Sequence, residues 1–169
     1  MNLFRFHADP EANARAYPDT YTHNQVRESA QFLLTALAEH GADTEYGTTH
    51  ENHPITLWAG RSLANWLDAY ALTAACHAEY RRRYGAEKYH ASFRTLNEHY
   101  SLAFEHLPEA GYAVQPSAMA EEFRVHDPAT TTEEVIENYR NYLAESKSSR
   151  DFWTYDRADP PEYVRPCLE

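Results

Sequence analysis

The chain has 169 residues, which is enough for one domain with a single core and short for two. Hydrophobic residues make up 43% of it and aromatic residues 14%, so the composition is that of a globular protein and excludes a disordered one. The formal net charge of −11 argues against non-specific binding to nucleic acid, because phosphate contacts need a basic face. Acidity can be a property of a whole proteome, however, so local arginine clusters bear more directly on nucleic-acid partners than the total charge does.

Cysteine and hydropathy patterns exclude further classes. Cys76 and Cys167 lie far apart in the sequence and form neither a disulfide framework nor a paired-cysteine zinc motif. The start MNLFRFHADPEA lacks the charged region and apolar core of a signal peptide, and no apolar run reaches the roughly 18 residues of a membrane span. We therefore expect a cytoplasmic protein with no membrane partner.

The first elements follow from hydrophobic spacing. NLFRF predicts a short extended start that ends before Pro10. Apolar residues at i, i+4, i+7, i+8 and i+11 predict a helix from an N-cap at Thr22 to a terminal glycine at Gly41. After a polar loop, apolar residues from Leu63 onward predict a second, longer helix that ends at Gly85, with arginines in its last turn, where the helix dipole favours cations.

Two further helices complete the predicted bundle. Helical spacing from Tyr89 to Leu107 predicts the third, and a capping box at Thr131 and Glu134 opens the fourth. Between them, residues 108–130 are rich in proline and glycine and predict a long crossing segment with a short turn at SAMAEEF.

The remaining chain, from Trp153 to the end, is rich in proline and aromatic residues, and we expect it to lie extended over the bundle. The predicted fold class is therefore mainly α. We expect a single α-helical domain over residues 1–169, a bundle of about four main helices with a short extended N-terminus and an irregular C-terminal tail.

Polar side chains form a second stripe on the first two helices. The stripes consist of Asn24, Glu28, Gln31 and Thr35 on the first helix and Arg61, Asn65 and Asp68 on the second. A solvated face would also give a polar stripe, but in so acidic a chain it should be mostly Asp and Glu. These positions favour amides and single charges, which fix geometry. If the stripes face each other, they form a polar cleft holding Glu28, Arg61 and Asn65.

The segment HENH places His50 and His53 three residues apart, and three interpretations remain open. The pair can ligate a metal, although zinc then needs at least a third ligand that the spacing does not supply. A neutral imidazole can act as a general base, or as a donor to an oxyanion or phosphate. Alternatively, His53 begins a helix at Pro54, with its ring hydrogen-bonded locally.

Two arginine-tyrosine segments are candidates for ligand binding. EYRRRYG places Arg83 at a helix end between two tyrosines, while Arg81 and Arg82 are expected to be solvated. NYRNYL directs Tyr139 inward, with Arg140 beside it. Arginine interleaved with aromatic residues can hold a nucleotide by stacking and by phosphate pairing.

Several motifs occur together in an order that resembles a known group of proteins. They are MNLFxxxxDPxxxA, ESAQFLLTAL, THENHPxTLWxxxSxxNWL, EYxxRYG and a late YRNY followed by Trp. In this order they resemble small, mostly phage-borne proteins described as pyrimidine-dimer DNA glycosylase-like, and the resemblance spans nearly the whole chain. It implies an enzyme that acts on a pyrimidine base in DNA.

The resemblance implies two candidate reactions. Pyrimidine-dimer glycosylases attack the sugar with an N-terminal amine and a nearby Glu, and they grip DNA with a basic surface that this chain lacks. The first expectation is therefore a transferase of thymine hypermodification, in which an amino acid or amine displaces pyrophosphate from activated 5-hydroxymethyluracil. DNA and a free amino acid or amine are the expected partners, and no metal or other cofactor is expected. A pyrimidine-dimer DNA glycosylase-like repair enzyme is the second candidate reaction. A non-catalytic nucleotide- or DNA-binding module and a metal-dependent hydrolase at the histidine pair are the further alternatives.

The residues assigned to this site come from all the patterns above. The expected catalytic residues are His50, His53, Glu28 and Asp19, and the expected substrate-binding residues are Arg61, Asn65, Asn24, Gln31, Arg83, Tyr139 and Arg140. One segment departs from the family pattern. Where relatives read Cys-Asp-Lys-His with a further Lys one turn on, this chain has Pro18-Asp19-Thr20-Tyr21 and Asn24. If those cations bind phosphate in relatives, this chain binds a different ligand or binds it more weakly.

Overall fold

The computed structural model describes residues 1–147 and 154–165. Within these ranges the chain forms α-helices and no strand, so the predicted mainly α class is confirmed. The helices are α1 Pro10–Arg15, α2 Asp19–Glu39, α3 Pro54–Gly60, α4 Leu63–Tyr84, α5 Ala91–Glu98, α6 Leu102–His106 and α7 Thr132–Tyr142. A 3₁₀ turn at Glu121–Phe123 follows α6, and a π-helical turn at Leu143–Lys147 extends α7. None of these helices is both long and apolar enough to span a bilayer.

Helix boundaries agree with the sequence where a capping residue sets them. The predicted capping box at Thr131 is present, because its hydroxyl accepts from Glu134 N at 3.2 Å and the Glu134 carboxylate accepts from Thr131 N. The first long helix begins earlier than predicted, at Asp19, since Pro18 rather than Thr22 is its N-cap. Pro18 provides no side-chain cap, which is why the sequence pattern favoured the threonine.

Two breaks in the helical pattern are visible only in the structure. The segment before Leu63 forms its own short helix, α3, because Ser62 adopts an extended backbone and caps α4 by accepting from Asn65 N at 3.1 Å. The predicted third helix is likewise two helices, α5 and α6, joined by a turn in which Leu102 N donates to His99 O. Hydrophobic spacing continues through both breaks, so periodicity alone does not reveal them.

Helix α2 forms the centre of the molecule and packs against α3, α4 and α5. Its apolar stripe is fully buried, and Trp66 on α4 anchors to it by donating from Nε1 to Leu33 O at 3.1 Å. The extended N-terminal segment is also part of the core, since Phe4 and Phe6 are buried and stack on each other. The first residues of the chain are thus held inside the bundle.

A buried polar network fixes this N-terminal segment against residues 113–119. Arg5 is 2% exposed and donates from Nε to Gln115 Oε1 at 2.9 Å, while its Nη2 is paired with Asp68. Gln115 in turn donates from Nε2 to Leu3 O at 2.7 Å. Buried polar groups of this kind must be satisfied, so the network specifies one position for both segments.

The described part of the C-terminal tail lies against the start of α2. Asp19 N donates to Thr154 O at 2.8 Å, and the Tyr155 hydroxyl donates to Ala16 O at 2.9 Å. Residues 154–161 are not helical, as expected for an extended tail. Trp153 and Cys167, which also belong to the predicted tail, lie outside the described residues.

Candidate functional site

Two adjoining clefts open beside the N-terminal segment and share Ala118 as a common wall. The larger, of about 580 Å³, lies between His53 at the start of α3 and the crossing segment with Arg124 and Asp127. The smaller, of about 220 Å³, is lined by Met1, Asn2, Phe4, Tyr21, Glu28, Ala118 and Tyr142. We call the two together the N-terminal cleft.

Glu28 supplies a carboxylate to the smaller half of this cleft. Its side chain is 25% exposed, and its Oε2 accepts from Asn2 N at 3.0 Å. The same oxygen lies 3.8 Å from the nitrogen of Met1. Glu28 therefore projects from α2 towards the extended N-terminus, where it is held by backbone and stays accessible from the cleft.

His53 supplies an imidazole to the larger half. It is the N-cap of α3, and its Nδ1 accepts from Ile55 N at 3.2 Å, as the interpretation of a helix-starting histidine predicts. A neutral ring that accepts at Nδ1 carries its proton on Nε2. Within the described residues, Nε2 forms no hydrogen bond, which leaves it as a donor for a ligand in the cleft.

Electrostatics keep the His53 ring neutral. Burial lowers the pKa of His53 below its ordinary value, and the positive N-terminus and the His50 ring lower it further, while Glu28 opposes them. Met1 lies against the same helix as His53, since the Thr56 hydroxyl on α3 donates to its Sδ at 4.0 Å. A neutral donor, rather than a cation, therefore faces the cleft.

His50 lies outside this pairing, at the exposed start of the same turn. Its backbone is left-handed, with φ of 57°, and its carbonyl accepts from His53 N at 3.0 Å. Its Nδ1 lies 2.7 Å from the Thr49 hydroxyl. No group of three or more His, Cys, Asp or Glu side chains in the described ranges is placed to hold a metal ion.

An ion pair on the crossing segment lines the larger half, and sequence reasoning missed it. Arg124 donates from Nη1 to Asp127 Oδ1 at 3.2 Å and from Nη2 to Met119 O at 2.7 Å. The two charged side chains lie three positions apart in a segment without hydrophobic periodicity, so no pattern marked them. They bring a guanidinium and a carboxylate to the same cleft as His53.

Tyr139 lies buried behind the smaller half of the cleft and contacts two of its lining residues. It is fully buried, and its hydroxyl donates to Asn2 Oδ1 at 2.7 Å and accepts from Ala118 N at 3.3 Å. Burial raises the pKa of this phenol well above its ordinary value, so it stays protonated. Its role is to position Asn2 and Ala118, which line the smaller half.

The predicted meeting of Arg61 with Glu28 and His53 does not occur. Arg61 follows the last residue of α3 whereas His53 precedes the first, which places them about 12 Å apart along the helix. The neighbouring Gly60 packs against Ala36, two turns beyond Glu28 on α2. The two polar stripes are therefore offset along α2 and do not enclose a common ligand.

Asn65 is also not available to a ligand. It is fully buried, donating from Nδ2 to Trp58 O at 2.8 Å and accepting from Ala113 N at 2.8 Å. Its amide thus holds the α3–α4 corner to the crossing segment. Asp68 likewise belongs to the buried network, as the partner of Arg5.

Asp19 and Arg83 form a buried ion pair between the start of α2 and the end of α4, which we call the buried lock. The Arg83 guanidinium donates to Asp19 Oδ1 at 3.1 Å, to Glu79 Oε1 at 2.7 Å and to Tyr17 O at 2.8 Å. Its side chain has 0% exposure, so no substrate can reach it. Asp19, predicted as a catalytic residue, and Arg83, predicted as a substrate-binding residue, are thus paired with each other inside the protein.

The remaining predicted residues lie elsewhere on the surface. Asn24 lines a small cleft between α2 and α4, and Gln31 is exposed beside a third cleft of about 420 Å³ between α2 and α5. Arg140 donates from Nε to Phe6 O at 2.9 Å and lies over the Tyr163 ring, which ties the tail to the N-terminal segment. Of the predicted catalytic residues, Glu28 and His53 line the N-terminal cleft, with His50 at its edge.

Comparison of the chain with protein-family models, with curated proteins and with solved structures gave no significant match. The resemblance carried by the motifs therefore stays a prediction.

Proposed function

We propose that the N-terminal cleft is the active site of an enzyme acting on a pyrimidine base in DNA, and that the reaction is a transfer onto activated 5-hydroxymethyluracil. One observation carries the proposal. Residues from four motifs of the resemblance, remote in sequence, meet around this cleft: Met1-Asn2, Glu28, His53 and the Tyr139–Tyr142 segment. A carboxylate lines one half of this cleft and a neutral imidazole donor lines the other.

The transfer assigns a separate task to each group. The amine nitrogen of the incoming co-substrate attacks the exocyclic methylene carbon of the base. A carbon–nitrogen bond forms as the carbon–oxygen bond breaks, and pyrophosphate leaves with the electron pair. The Glu28 carboxylate takes the proton that the amine loses, and the Nε2–H of His53 donates to an oxygen of the departing pyrophosphate. Arg124, paired with Asp127, lines the same half of the cleft as His53 and offers further N–H donors there.

The test is a nucleoside analysis of treated DNA. The protein is incubated with hydroxymethyluracil DNA, the kinase that activates this base and a mixture of amino acids and amines. The DNA is then digested and its nucleosides are analysed by mass spectrometry. We expect a new nucleoside, with at least about 100-fold less of it for Glu28→Gln, in line with the loss of a general base. Glu39→Gln, an exposed position on the same helix, is the matched control. An unchanged nucleoside profile with the wild-type protein would contradict the transfer.

A glycosylase is the second candidate, and the pairing of Glu28 with the Met1 nitrogen favours it. In a chain that starts at Met1 this nitrogen is an amine. It would attack C1′ of the nucleotide, the bond from C1′ to the base would break, and the base would leave with the electron pair and a proton. The bond between C1′ and O4′ then breaks, O4′ takes the remaining proton of the amine, and the resulting imine is trapped by borohydride as a covalent protein–DNA complex. Such a complex with irradiated DNA, absent with undamaged DNA, would favour the glycosylase over the transferase.

A further inference from the structure

A second cleft, on the side of α2 that faces α4 and α5, is used by neither reaction. It has a volume of about 300 Å³ and is lined by Thr20, His23, Asn24, Tyr80 and Tyr84. We call it the His23–Tyr80 cleft. A concavity of this size is at the lower end of the range for small-molecule sites, about 300 to 1,000 Å³, and is too small for a polymer.

A buried histidine without a partner lies against the walls of this cleft. His90 is only 8% exposed, and neither of its ring nitrogens has a hydrogen-bond partner. Its ring centre lies 4.6 Å from that of His23 and 5.6 Å from that of Tyr80, the two side chains that form the walls. Burying an imidazole without a partner costs free energy, and native proteins rarely leave one so. His90 is not itself a lining residue, so a ligand in the cleft supplies the missing partner when the His23 ring, which packs against His90, moves aside.

The charges around the cleft favour an anion. None of its lining residues is acidic, in a chain whose net charge is −11. Arg27 is exposed beside it, with Nη2 3.4 Å from Asn24 Oδ1, and acts electrostatically on both His23 and His90. The nearby Asp19 does not offset this charge, because its carboxylate is engaged by the Arg83 guanidinium and the Arg157 backbone N–H.

The walls of the cleft favour a flat ring. Tyr80 and Tyr84 lie with ring centres 5.2 Å apart, and His23 stands 5.6 Å from Tyr80. Aromatic side chains of this kind contact planar ligands by offset or edge-to-face stacking. Arg157 lies over the Tyr84 ring at 4.9 Å and brings a second guanidinium close to the cleft.

We propose that the His23–Tyr80 cleft binds a small phosphomonoester that carries a flat ring. The phosphate lies towards Arg27 and the two imidazoles, His23 and His90, each of which offers an N–H donor. The ring lies against Tyr80 and Tyr84. This site is separate from the N-terminal cleft and does not depend on the reaction proposed there.

The test is a calorimetric titration of the full chain with phenyl phosphate, which combines the two chemical features. Inorganic phosphate and phenol are the probes for each feature alone. We expect phenyl phosphate to bind at least 10-fold more tightly than either of them. Arg27→Gln and His90→Phe should each weaken binding at least 10-fold, whereas Arg15→Gln, an exposed arginine on α1, should not change it. Because His90→Phe removes two unpartnered buried nitrogens, its melting temperature should not fall.

Three results of this titration would contradict the proposal. Absence of saturable binding of phenyl phosphate at millimolar concentration would remove the site. Binding that survives Arg27→Gln, a substitution at an exposed position that leaves the core intact, would place the ligand elsewhere. Equal affinity for inorganic phosphate and phenyl phosphate would overturn the assignment of a ring-bearing ligand.

Discussion

The buried lock and the N-terminal cleft use the same residue types for different purposes. In the lock, Arg83 meets Asp19 and Glu79 with side chains less than 9% exposed, and backbone carbonyls take the remaining donors. In the cleft, Glu28 is 25% exposed and the Nε2 of His53 forms no hydrogen bond in the described part of the chain. Charged groups whose hydrogen bonds are made with one another stabilise the fold. Groups that keep an unused donor or acceptor in a cleft can bind a ligand.

The largest effect that distinguishes these regions is on stability. Arg83→Met should lower the free energy of unfolding by about 3 to 5 kcal/mol, because two buried carboxylates lose their partner. Urea denaturation measures it. Arg82→Met, which removes the exposed partner of Glu79, is the control and should cost less than about 1 kcal/mol. A small loss for Arg83→Met would mean that the lock does not hold α1, α2 and α4 together.

The next effect is a loss of stability with falling pH. Burial, helped by the neighbouring His23 and His77 rings, lowers the pKa of His90 to about 4 from an ordinary value of 6.5. Since the unfolded chain takes up this proton first, the stability held above pH 6.5 is lost as the pH falls towards about 4.

We expect the His90 contribution to this loss to be about 2 kcal/mol. It is measured as the difference in unfolding free energy between pH 7 and pH about 4.5 for the wild type and for His90→Phe. The variant should lose less than the wild type. An identical pH dependence would assign the loss to other groups.

A smaller effect is expected at the floor of the N-terminal cleft. Tyr139→Phe removes the donor to Asn2 Oδ1, which keeps its bond from Leu3 N, and also removes the acceptor of Ala118 N. It should cost about 1 to 3 kcal/mol, because two hydrogen bonds are lost and the Ala118 N–H loses its acceptor. Thermal denaturation measures it. Tyr112→Phe, at an exposed tyrosine, is the control and should change little. If Tyr139→Phe is neutral, Tyr139 does not position Asn2.

The smallest expected effect on stability belongs to Glu28. Glu28→Gln should change the unfolding free energy by less than about 1 kcal/mol, since its partly exposed ion pair contributes little. Its effect on the nucleoside assay should be large, as stated above. If Glu28→Gln instead lowers the free energy of unfolding by several kcal/mol, Glu28 stabilises the fold as the Asp19–Arg83 pair does, and the contrast between the two regions is wrong. Urea denaturation beside Glu39→Gln measures it.

Local features of the chain were predictable from sequence because their causes are local. The long helices follow from apolar spacing, the start of α7 follows from its capping box, and His53 before Pro54 marks a helix start. Glu28 and His53, both predicted as catalytic residues, lie in the walls of two adjoining clefts, and their catalytic role stays a prediction.

Only the tertiary structure determines which segment packs against the polar face of each helix. Asn65 and Arg83 look like ligand-binding residues in a helical pattern, but packing turned one towards Trp58 O and the other towards Asp19. Periodicity specifies the face of a helix and says nothing about its neighbour, its offset along that neighbour or the chain segment that crosses it. The sequence by itself therefore determined the helices and their buried stripes, whereas the fold decided that Glu28 meets the N-terminal segment instead of Arg61.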